Sequence, residues 1–175
     1  LNSSFEDYAY QDKAFPIGAG QTISQPYTVA FQSQLLEIKD GDKILEIGTG
    51  SGYQAAVLAE MGAIVYSIER VKSLYDRTKP ILKTLGYKKI RCFYGAGYVG
   101  IPDLAPFDKI IITAAAPEIP NSLLKQVKVG GIIIIPYGEG QKQQMRKIIR
   151  VSESEFEQET LDSFSFVPMV RGKNE

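Results

Sequence analysis

The chain has 175 residues, of which 44% are hydrophobic and 23% are charged, a composition typical of one globular domain with one core. Basic and acidic residues number 20 each, so no net charge draws the chain to nucleic acid or to an anionic membrane surface. Histidine is absent and cysteine occurs once, which excludes imidazole-based nucleophilic dyads and an internal disulfide and makes a metal site unexpected.

The start of the chain and its apolar segments indicate where in the cell the protein is expected. Residues 1–7 lack the basic and then apolar pattern of a signal peptide, and no apolar stretch approaches the roughly 20 residues that span a bilayer. We therefore expect a cytoplasmic protein without a membrane partner. Because the chain begins at Leu1 rather than at methionine, we expect that a further segment precedes it. No long exposed apolar stripe is left over, which favours a monomer.

The first predicted element is a helix that follows a polar lead-in. Residues 24–26, Ser-Gln-Pro, are typical of a helix start, with Ser24 a candidate N-cap. One face of this helix collects apolar residues at helical spacing, namely Tyr27, Phe31, Leu35 and Ile38. The helix is predicted to end near residues 39–41.

Strands and helices then alternate. Strands are predicted at 43–47, 64–68 and 90–94, and helices at 53–61 and 71–85, each stopped by a glycine. Strands separated by helices imply parallel pairing. Pro80 lies inside the second helix, where its missing N–H predicts a kink or a split. Cys92 lies in the third strand and is expected to be buried and inert.

The second half of the chain continues the sheet and then changes character. After a loop rich in glycine and proline, the apolar run 107–113 predicts a central strand, 120–127 a helix and 131–137 another buried strand. Segments 145–151 and 156–161 flank a polar turn and predict an antiparallel hairpin, and 164–169 are expected to add a last strand. The prediction is an α/β fold: a mostly parallel sheet, helices on both faces and an antiparallel C-terminal hairpin.

The most informative motif joins the first of these parallel strands to its helix. It reads Glu-Ile-Gly-Thr-Gly-Ser-Gly over residues 46–52, with glycine at every second position. The dinucleotide fingerprint would need a glycine at Tyr53, so the spacing favours a nucleoside ligand without a pyrophosphate. A turn without Cβ atoms lets backbone N–H groups approach a ligand, and Glu46 can hold a cationic amino group. S-adenosylmethionine has these parts.

A second acidic residue supports this reading. The strand 64–68 ends at Glu69, the place where α/β folds put a carboxylate that accepts both ribose hydroxyls. Any turn between a strand and a helix can use glycine for purely structural reasons. Two acids at adjacent strand ends are harder to explain in that way, so we favour a ligand site.

Four segments together resemble one family, the protein-L-isoaspartate O-methyltransferases. They are GQTISQP at 20–26, LEIGTGSGY at 45–53, TAAAPEIP at 113–120 and FVP at 166–168, and the likeness extends from about residue 8 to 170. The resemblance implies a Rossmann-like S-adenosylmethionine-dependent methyltransferase fold in a single domain, 1–175. It also implies methyl transfer from S-adenosylmethionine to the free carboxylate of L-isoaspartyl residues in damaged proteins and peptides. The ester then collapses to a succinimide, which allows partial return to aspartate.

The resemblance also assigns roles to residues. It places Ser24 beside the methyl acceptor as the catalytic residue, although Ser24 also fits a helix N-cap. Substrate-binding residues are Gln21, Thr22, Ile23, Val167 and Pro168, the last two of which also fit a plain edge strand. Cofactor-binding residues are Thr22, Ser24, Glu46, Gly48, Thr49, Gly50, Ser51, Gly52, Glu69, Arg70, Gly95, Ala96, Gly97 and Thr113. No metal is implied.

The absence of histidine is compatible with this chemistry. A carboxylate with a pKa of about 4 is already ionised at neutral pH and attacks the methyl group without a general base. The protein must then supply alignment of the reacting atoms and exclusion of water, worth about 7 to 11 kcal/mol at most.

One position departs from the family pattern. The usual turn after the third parallel strand is Gly-Asp-Gly, whose aspartate accepts a hydrogen bond from the adenine amine, whereas this chain has Gly95-Ala96-Gly97. Losing that acceptor predicts weak cofactor binding. Family members also usually carry a further N-terminal segment ahead of the matched part.

Two other functions remain open at this point. A methyltransferase for a small molecule or RNA would share the glycine turn and Glu69, but segments 20–26 and 113–120 do not fit it, and RNA would require a basic stripe. A non-catalytic or weakly active S-adenosylmethionine-binding module is favoured only by Ala96 and by the missing N-terminal segment.

Overall fold

The structure is a computed structural model that describes residues 10–174, so the prediction about a signal peptide falls outside it. Nine strands occur in the described part: β1 Phe15–Gly18, β2 Gln21–Ile23, β3 Lys43–Ile47, β4 Ile64–Glu69, β5 Ile90–Tyr94, β6 Phe107–Ile112, β7 Val127–Tyr137, β8 Gln143–Arg150 and β9 Phe156–Phe164. Its α-helices are α1 Pro26–Leu35, α2 Tyr53–Glu60, α3 Lys72–Thr84 and α4 Asn121–Leu124, with a short 3-10 helix at Pro102–Leu104.

Seven strands form one sheet in the order β5-β4-β3-β6-β7-β8-β9. The five strands from β5 to β7 are parallel, and β8 and β9 add an antiparallel hairpin. The chain runs outward from β3 to β5 and then returns to β6 on the other side of β3. This reversal opens a crevice at the carboxyl ends of β3 and β6, where α/β sheets bind ligands. The predicted α/β class is confirmed.

Both faces of the central strands are buried, as their continuous apolar runs predict. On one face Leu45, Ile110, Ile112 and Ile133 join a cluster that includes Phe107 and Leu123. On the other face Ile44, Val65, Ile111 and Ile134 pack with Ala55 and Leu58 of α2 and with Leu36, which directly follows α1. The sheet is therefore a rigid base for the loops at its carboxyl edge.

Helix α1 begins where the sequence predicts it but ends at Leu35, before the predicted 39–41. Phe31, Leu35 and Ile38 of the predicted apolar face are only partly buried against the core, and the most buried positions lie beside that face. The fully buried positions are Thr28, Val29, Gln32 and Ser33, whereas Tyr27 is 56% exposed. Tyr27 and Phe31 instead pack against Phe164 of β9, with ring centroids 6.2 and 5.0 Å away. Hydropathy missed this because the inner face is polar and its side chains hydrogen-bond to neighbouring elements.

The N-terminus of α1 is not capped by Ser24. Gln25 is the N-cap residue and its side chain makes no capping bond. The capping bond comes instead from Asp12, which is distant in sequence: its Oδ1 accepts the backbone N–H of Tyr27 at 2.9 Å. The backbone carbonyl of Asp12 also accepts from the side-chain amide of Gln25 at 3.1 Å. The prediction that Ser24 is the N-cap is therefore wrong.

Other elements differ from their predictions in extent. β1 and β2 form a separate antiparallel ribbon inside the predicted polar lead-in. α4 has four residues, and the chain from Val127 onward is already strand. α3 continues through Pro80 without a break. β9 ends at Phe164, so the expected last strand at 164–169 is replaced by an extended segment with one bridge, Ala115 to Pro168.

None of the helices in residues 10–174 is both long and apolar enough to cross a membrane.

The distal cap gives a stability prediction. Replacing Asp12 by alanine removes the acceptor for Tyr27 N–H, so we expect the free energy of unfolding to fall by about 1 kcal/mol. Ser24→Ala is the matched control and should leave it unchanged. Urea denaturation of the two variants provides the measurement, and an equal loss in both would restore Ser24 as the cap.

Candidate functional site

A cavity occupies the crevice between the carboxyl ends of β3 and β6. It contains about 840 Å³ of empty space, part of which is open to solvent. Its walls come from the ribbon β1–β2, the turn after β3, the end of β4, the loops after β5 and β6, and residues 167–170.

The turn after β3 depends on its glycines. Gly48, Gly50 and Gly52 all have positive φ, at 101°, 52° and 83°. A Cβ on Gly48 would lie 2.6 Å from Thr113 Oγ1, much closer than real Cβ contacts. The Thr113 hydroxyl occupies this space because it shares its one hydrogen between the carbonyls of Ile47, at 3.0 Å, and Gly48, at 2.9 Å. Glycine is therefore needed at position 48 because Thr113 leaves no room for a side chain there.

Glu69 ends β4 and is only 4% exposed, yet it lines the cavity. Its Oε2 accepts the backbone N–H of Gly50 at 2.9 Å and its Oε1 accepts that of Val71 at 2.8 Å. A carboxylate oxygen accepts more than one hydrogen bond. Both oxygens of Glu69 can therefore accept from a pair of ligand hydroxyls while they hold the turn in place.

A smaller pocket adjoins the cavity. It shares Thr22, Ser24, Thr113 and Val167 with the cavity and adds Thr28 and Ser165, so its wall is rich in hydroxyl groups. Within residues 10–174 the Ser24 hydroxyl makes no hydrogen bond, and it lines both spaces. Ser24 is thus free to donate to a group that lies where they meet.

The C-terminal segment 167–174 closes one side of the cavity. At one end Ala115 N–H donates to Val167 O at 2.8 Å and Met169 N–H donates to Ala115 O at 2.6 Å. At the other end Asn174 exchanges backbone hydrogen bonds, both 2.9 Å, with Arg70 and Lys72. The segment therefore links the end of β6 to the start of α3, which explains why it is not a strand of the sheet.

Most of the residues singled out from the sequence lie together in the cavity wall. They are Gln21, Thr22, Ile23, Ser24, Gly48, Thr49, Gly50, Ser51, Glu69, Arg70, Gly97, Thr113, Val167 and Pro168. Four do not line it: Glu46, Gly52, Gly95 and Ala96. Gly52 is the N-cap of α2 and faces Thr78 and Leu82, and Gly95 faces Ile68. Ala96 is half-buried beside the lining residue Gly97.

Glu46 is fully buried behind the turn rather than exposed to the cavity. Its Oε2 accepts the Ser67 hydroxyl, and Ser67 Oγ lies 2.5 Å from Thr49 Oγ1. Oε1 has no hydrogen-bond partner of ordinary geometry, although the nearby backbone N–H of Ala55 in α2 favours the charged form. Glu46 therefore does not line the cavity, and its contact with a ligand stays a prediction.

Burial changes the acidity of Glu46. Desolvation raises its pKa to about 8, with a further increase from the Glu69 charge, against the lowering effects of Ser67 and Ala55. The folded chain therefore binds a proton that the unfolded chain releases at a lower pH. Its contribution to stability is complete below the unfolded pKa of 4.5 and is lost as pH rises through about 8.

Several wall residues were not found from the sequence. Ile17 of β1 approaches Gly50, and Val29, Gln54 and Met169 also line the cavity. Gln54 could have been found from its place in the first turn after the glycine motif. Ile17 and Met169 had no signal, because a four-residue strand and an extended tail show no periodicity.

Two predictions concern other chemistry. Burial raises the pKa of the half-buried Cys92 thiol to about 11, so it stays protonated and poorly nucleophilic at neutral pH. Among residues 10–174, no three His, Cys, Asp or Glu side chains are grouped closely enough to hold a metal ion.

Comparisons with known proteins agree with this geometry. The model of the family described as protein-L-isoaspartate(D-aspartate) O-methyltransferase matches residues 1–174. A protein-L-isoaspartate O-methyltransferase of Flavobacterium psychrophilum is 60% identical over 174 residues, 99% of this chain and 81% of the relative. One from Yersinia enterocolitica is 47% identical over 173 residues, 99% of this chain and 82% of the relative.

Two solved structures are similar over nearly the whole chain. A protein-L-isoaspartate O-methyltransferase superimposes with a TM-score of 0.85 at 26% identity, covering 93% of this chain, which spans 54% of the solved one. A Plasmodium falciparum structure, described as a protein of this kind in complex with S-adenosyl-L-homocysteine, has a TM-score of 0.76 at 26% identity. The superposition covers 92% of this chain and 81% of the Plasmodium falciparum chain.

The contact between Gly48 and Thr113 gives a binding prediction. In Gly48→Ala the new Cβ displaces Thr113 Oγ1, whose hydrogen bonds hold the turn, so we expect affinity for S-adenosylmethionine to fall at least about 10-fold. Gly86→Ala is the matched control, because Gly86 has a similar φ of 87° with nothing within 4 Å of its Cβ position. Both variants should lose about 1 to 2 kcal/mol of stability from the strained φ. Calorimetric titration should separate them, and equal affinities would refute the steric role.

Position 96 gives a second prediction. An aspartate there would supply the acceptor that Ala96 lacks, so Ala96→Asp should lower the Kd for S-adenosylmethionine by about 5- to 150-fold. Ala96→Asn, which carries an acceptor without the charge, is the companion variant. Identical dissociation constants for the wild type and Ala96→Asp would refute a contact at this position.

Proposed function

The chain belongs to the protein-L-isoaspartate(D-aspartate) O-methyltransferase family, and from this premise we propose that residues 1–175 act as one catalytic domain whose cavity and adjoining pocket carry out the reaction of that family. That reaction transfers a methyl group from S-adenosylmethionine to the free carboxylate of an L-isoaspartyl residue in a damaged protein. The step is one of protein repair, and proteins or peptides with such residues are the partners.

The cavity wall fits S-adenosylmethionine. Glu69 offers two carboxylate oxygens to the ribose hydroxyls, and the glycine turn brings backbone N–H groups close to a ligand. Gly97 is needed on the opposite wall, because a Cβ there would lie 2.6 Å from Ile47 Cγ2. When bound, the cofactor supplies a methyl group on a positively charged sulfur.

The observation that carries the proposal is the position of Ser24 where the two spaces meet. The cavity accommodates the cofactor, so the smaller pocket is left for the acceptor. Its hydroxyl-rich wall suits a carboxylate, which accepts hydrogen bonds, and the unengaged Ser24 hydroxyl can orient that carboxylate toward the methyl group. Gln21, Thr22, Ile23, Val167 and Pro168 then confine the substrate.

The protein acts in this reaction by alignment rather than by proton transfer. The acceptor carboxylate is ionised at neutral pH, so no residue has to remove a proton. Segment 167–174, tied at both ends, keeps water away from one side of the cavity. The absence of an imidazole from the chain is therefore no obstacle.

Paired peptides test the proposal directly. The protein is incubated with S-adenosylmethionine labelled in the methyl group and with two peptides that differ only in having an aspartyl or an isoaspartyl residue. We expect label on the isoaspartyl peptide alone, released slowly as the ester forms a succinimide. Label on both peptides would contradict specificity for isoaspartate, and binding without transfer would identify a non-catalytic module.

Ser24 gives a kinetic prediction. Loss of a hydrogen bond to a charged group costs about 1.5 to 3 kcal/mol, so Ser24→Ala should lower kcat/KM for the isoaspartyl peptide by roughly 10- to 150-fold. The Kd for S-adenosylmethionine should change little. Ser154→Ala, in the exposed turn between β8 and β9, is the control. A loss of cofactor affinity as large as the loss of kcat/KM would contradict the assignment to the acceptor.

A further inference from the structure

The buried carboxyl of Glu46 has no role in the mechanism described above. It is 0% exposed, lies behind the glycine turn and leaves Oε1 without a partner of ordinary geometry. A buried carboxyl that only filled space would be costly, because an unsatisfied polar atom destabilises the fold.

A hydrogen-bond chain connects Glu46 to the cavity wall. Ser67 has a single hydroxyl hydrogen, which it donates to Glu46 Oε2. In the contact of 2.5 Å between Ser67 Oγ and Thr49 Oγ1, Thr49 must then be the donor. Thr49 belongs to the glycine turn and lines the cavity. An ionised Glu46 can only accept hydrogen bonds, so the chain runs from Thr49 to Ser67 to Glu46 once the carboxyl has lost its proton.

The charges around Glu46 leave it without a cation. The titratable group that acts on it is the Glu69 carboxylate at the end of β4, and α2 contributes only the backbone N–H of Ala55. The Cys92 thiol of β5 lies close enough for Glu46 to raise its pKa. No described residue forms an ion pair with Glu46. A positively charged ligand in the cavity would therefore supply charge that favours its ionised form.

We propose that Glu46 is a positioning residue that loses its proton to solvent when the cationic cofactor binds, and that the resulting carboxylate holds Thr49 and the glycine turn in the binding conformation through Ser67. The inference rests on the placement of S-adenosylmethionine in the cavity proposed above. A carboxylate is a stronger acceptor than a carboxylic acid, so ionisation strengthens the chain at the moment when the turn has to be ordered.

The sign of the pH dependence follows from linkage. In the free protein the pKa of Glu46 is raised to about 8, so the residue is mostly protonated at pH 7. A bound cation lowers that pKa, and binding then releases a proton. Affinity should therefore increase as pH rises from about 6 to about 8 and level off above the free-protein pKa, by up to about 10-fold for each unit of pKa change.

Titration calorimetry measures the released proton directly. S-adenosylmethionine is titrated at pH 7 in two buffers of different ionisation enthalpy, and the slope of the observed heat gives the number of protons released. Glu46→Gln keeps the size of the side chain but cannot ionise, so we expect it to remove most of the release and to flatten the dependence of Kd on pH. The amino group of the ligand contributes equally to both proteins, so the difference between them is the readout.

Two further comparisons complete the test. Ser67→Ala keeps the carboxyl but cuts the chain, so it should retain proton release while the Kd rises about 2- to 12-fold at every pH. S-adenosylhomocysteine lacks the sulfonium charge and should release fewer protons from the wild type. Ser67→Ala also decides the case if Glu46→Gln does not fold.

The outcomes that overturn the inference are distinct from a failure of the proposed function. Equal proton release by the wild type and Glu46→Gln, or an unchanged Kd in Ser67→Ala, would overturn it while leaving the cofactor in the cavity. A wild-type protein that bound no S-adenosylmethionine would contradict the placement of the cofactor, and the inference with it.

Discussion

The whole site depends on the close approach of the ends of β3 and β6. The Thr113 hydroxyl stands where a Cβ of residue 48 would be and ties the carbonyls of Ile47 and Gly48 to the neighbouring strand. Only glycine fits there, and glycine also readily adopts the φ of 101° with which the chain turns directly after β3. That turn brings Gly50 N–H to Glu69, and so one steric constraint positions both the backbone donors and the acidic residue of the cavity.

The polar inner face of α1 explains how the smaller pocket is held relative to the cavity. Gln32 donates to the carbonyl of Ile112 at the end of β6, at 3.1 Å, and Gln54 of α2 donates to Ser33 at 2.8 Å. Such hydrogen bonds fix distance and direction, whereas apolar contacts allow a helix to slide. Since Ser24 precedes α1 by two residues, these bonds also determine where its hydroxyl lies above the crevice.

Local pattern was sufficient for the elements that carry their own signal, and insufficient for those that depend on distant partners. Strands β3 to β6 and helix α2 were predicted within a residue or two because apolar runs and glycine stops reveal them, whereas β7 begins four residues before its predicted start. Contacts outside the local pattern determine three other features: the cap of α1 by Asp12, the ribbon β1–β2 and segment 167–174. No short stretch of the sequence contains that information. For Val167 and Pro168 of segment 167–174, only the family resemblance indicated a place at the site.

The contrast between Glu46 and Glu69 shows what decides the role of a carboxylate at such an edge. Both residues were predicted as ligands from their positions near strand ends. The register pairs Glu46 with Ser67, so Glu69 lies on the same face of the sheet but two residues further along. At about 3.3 Å per residue, Glu46 is roughly 7 Å deeper. That depth removes it from the cavity, takes away its water and raises its pKa, whereas Glu69 remains at the wall with both oxygens able to accept. One repeat of the pleat thus separates a residue that lines the cavity from one that is buried behind the glycine turn.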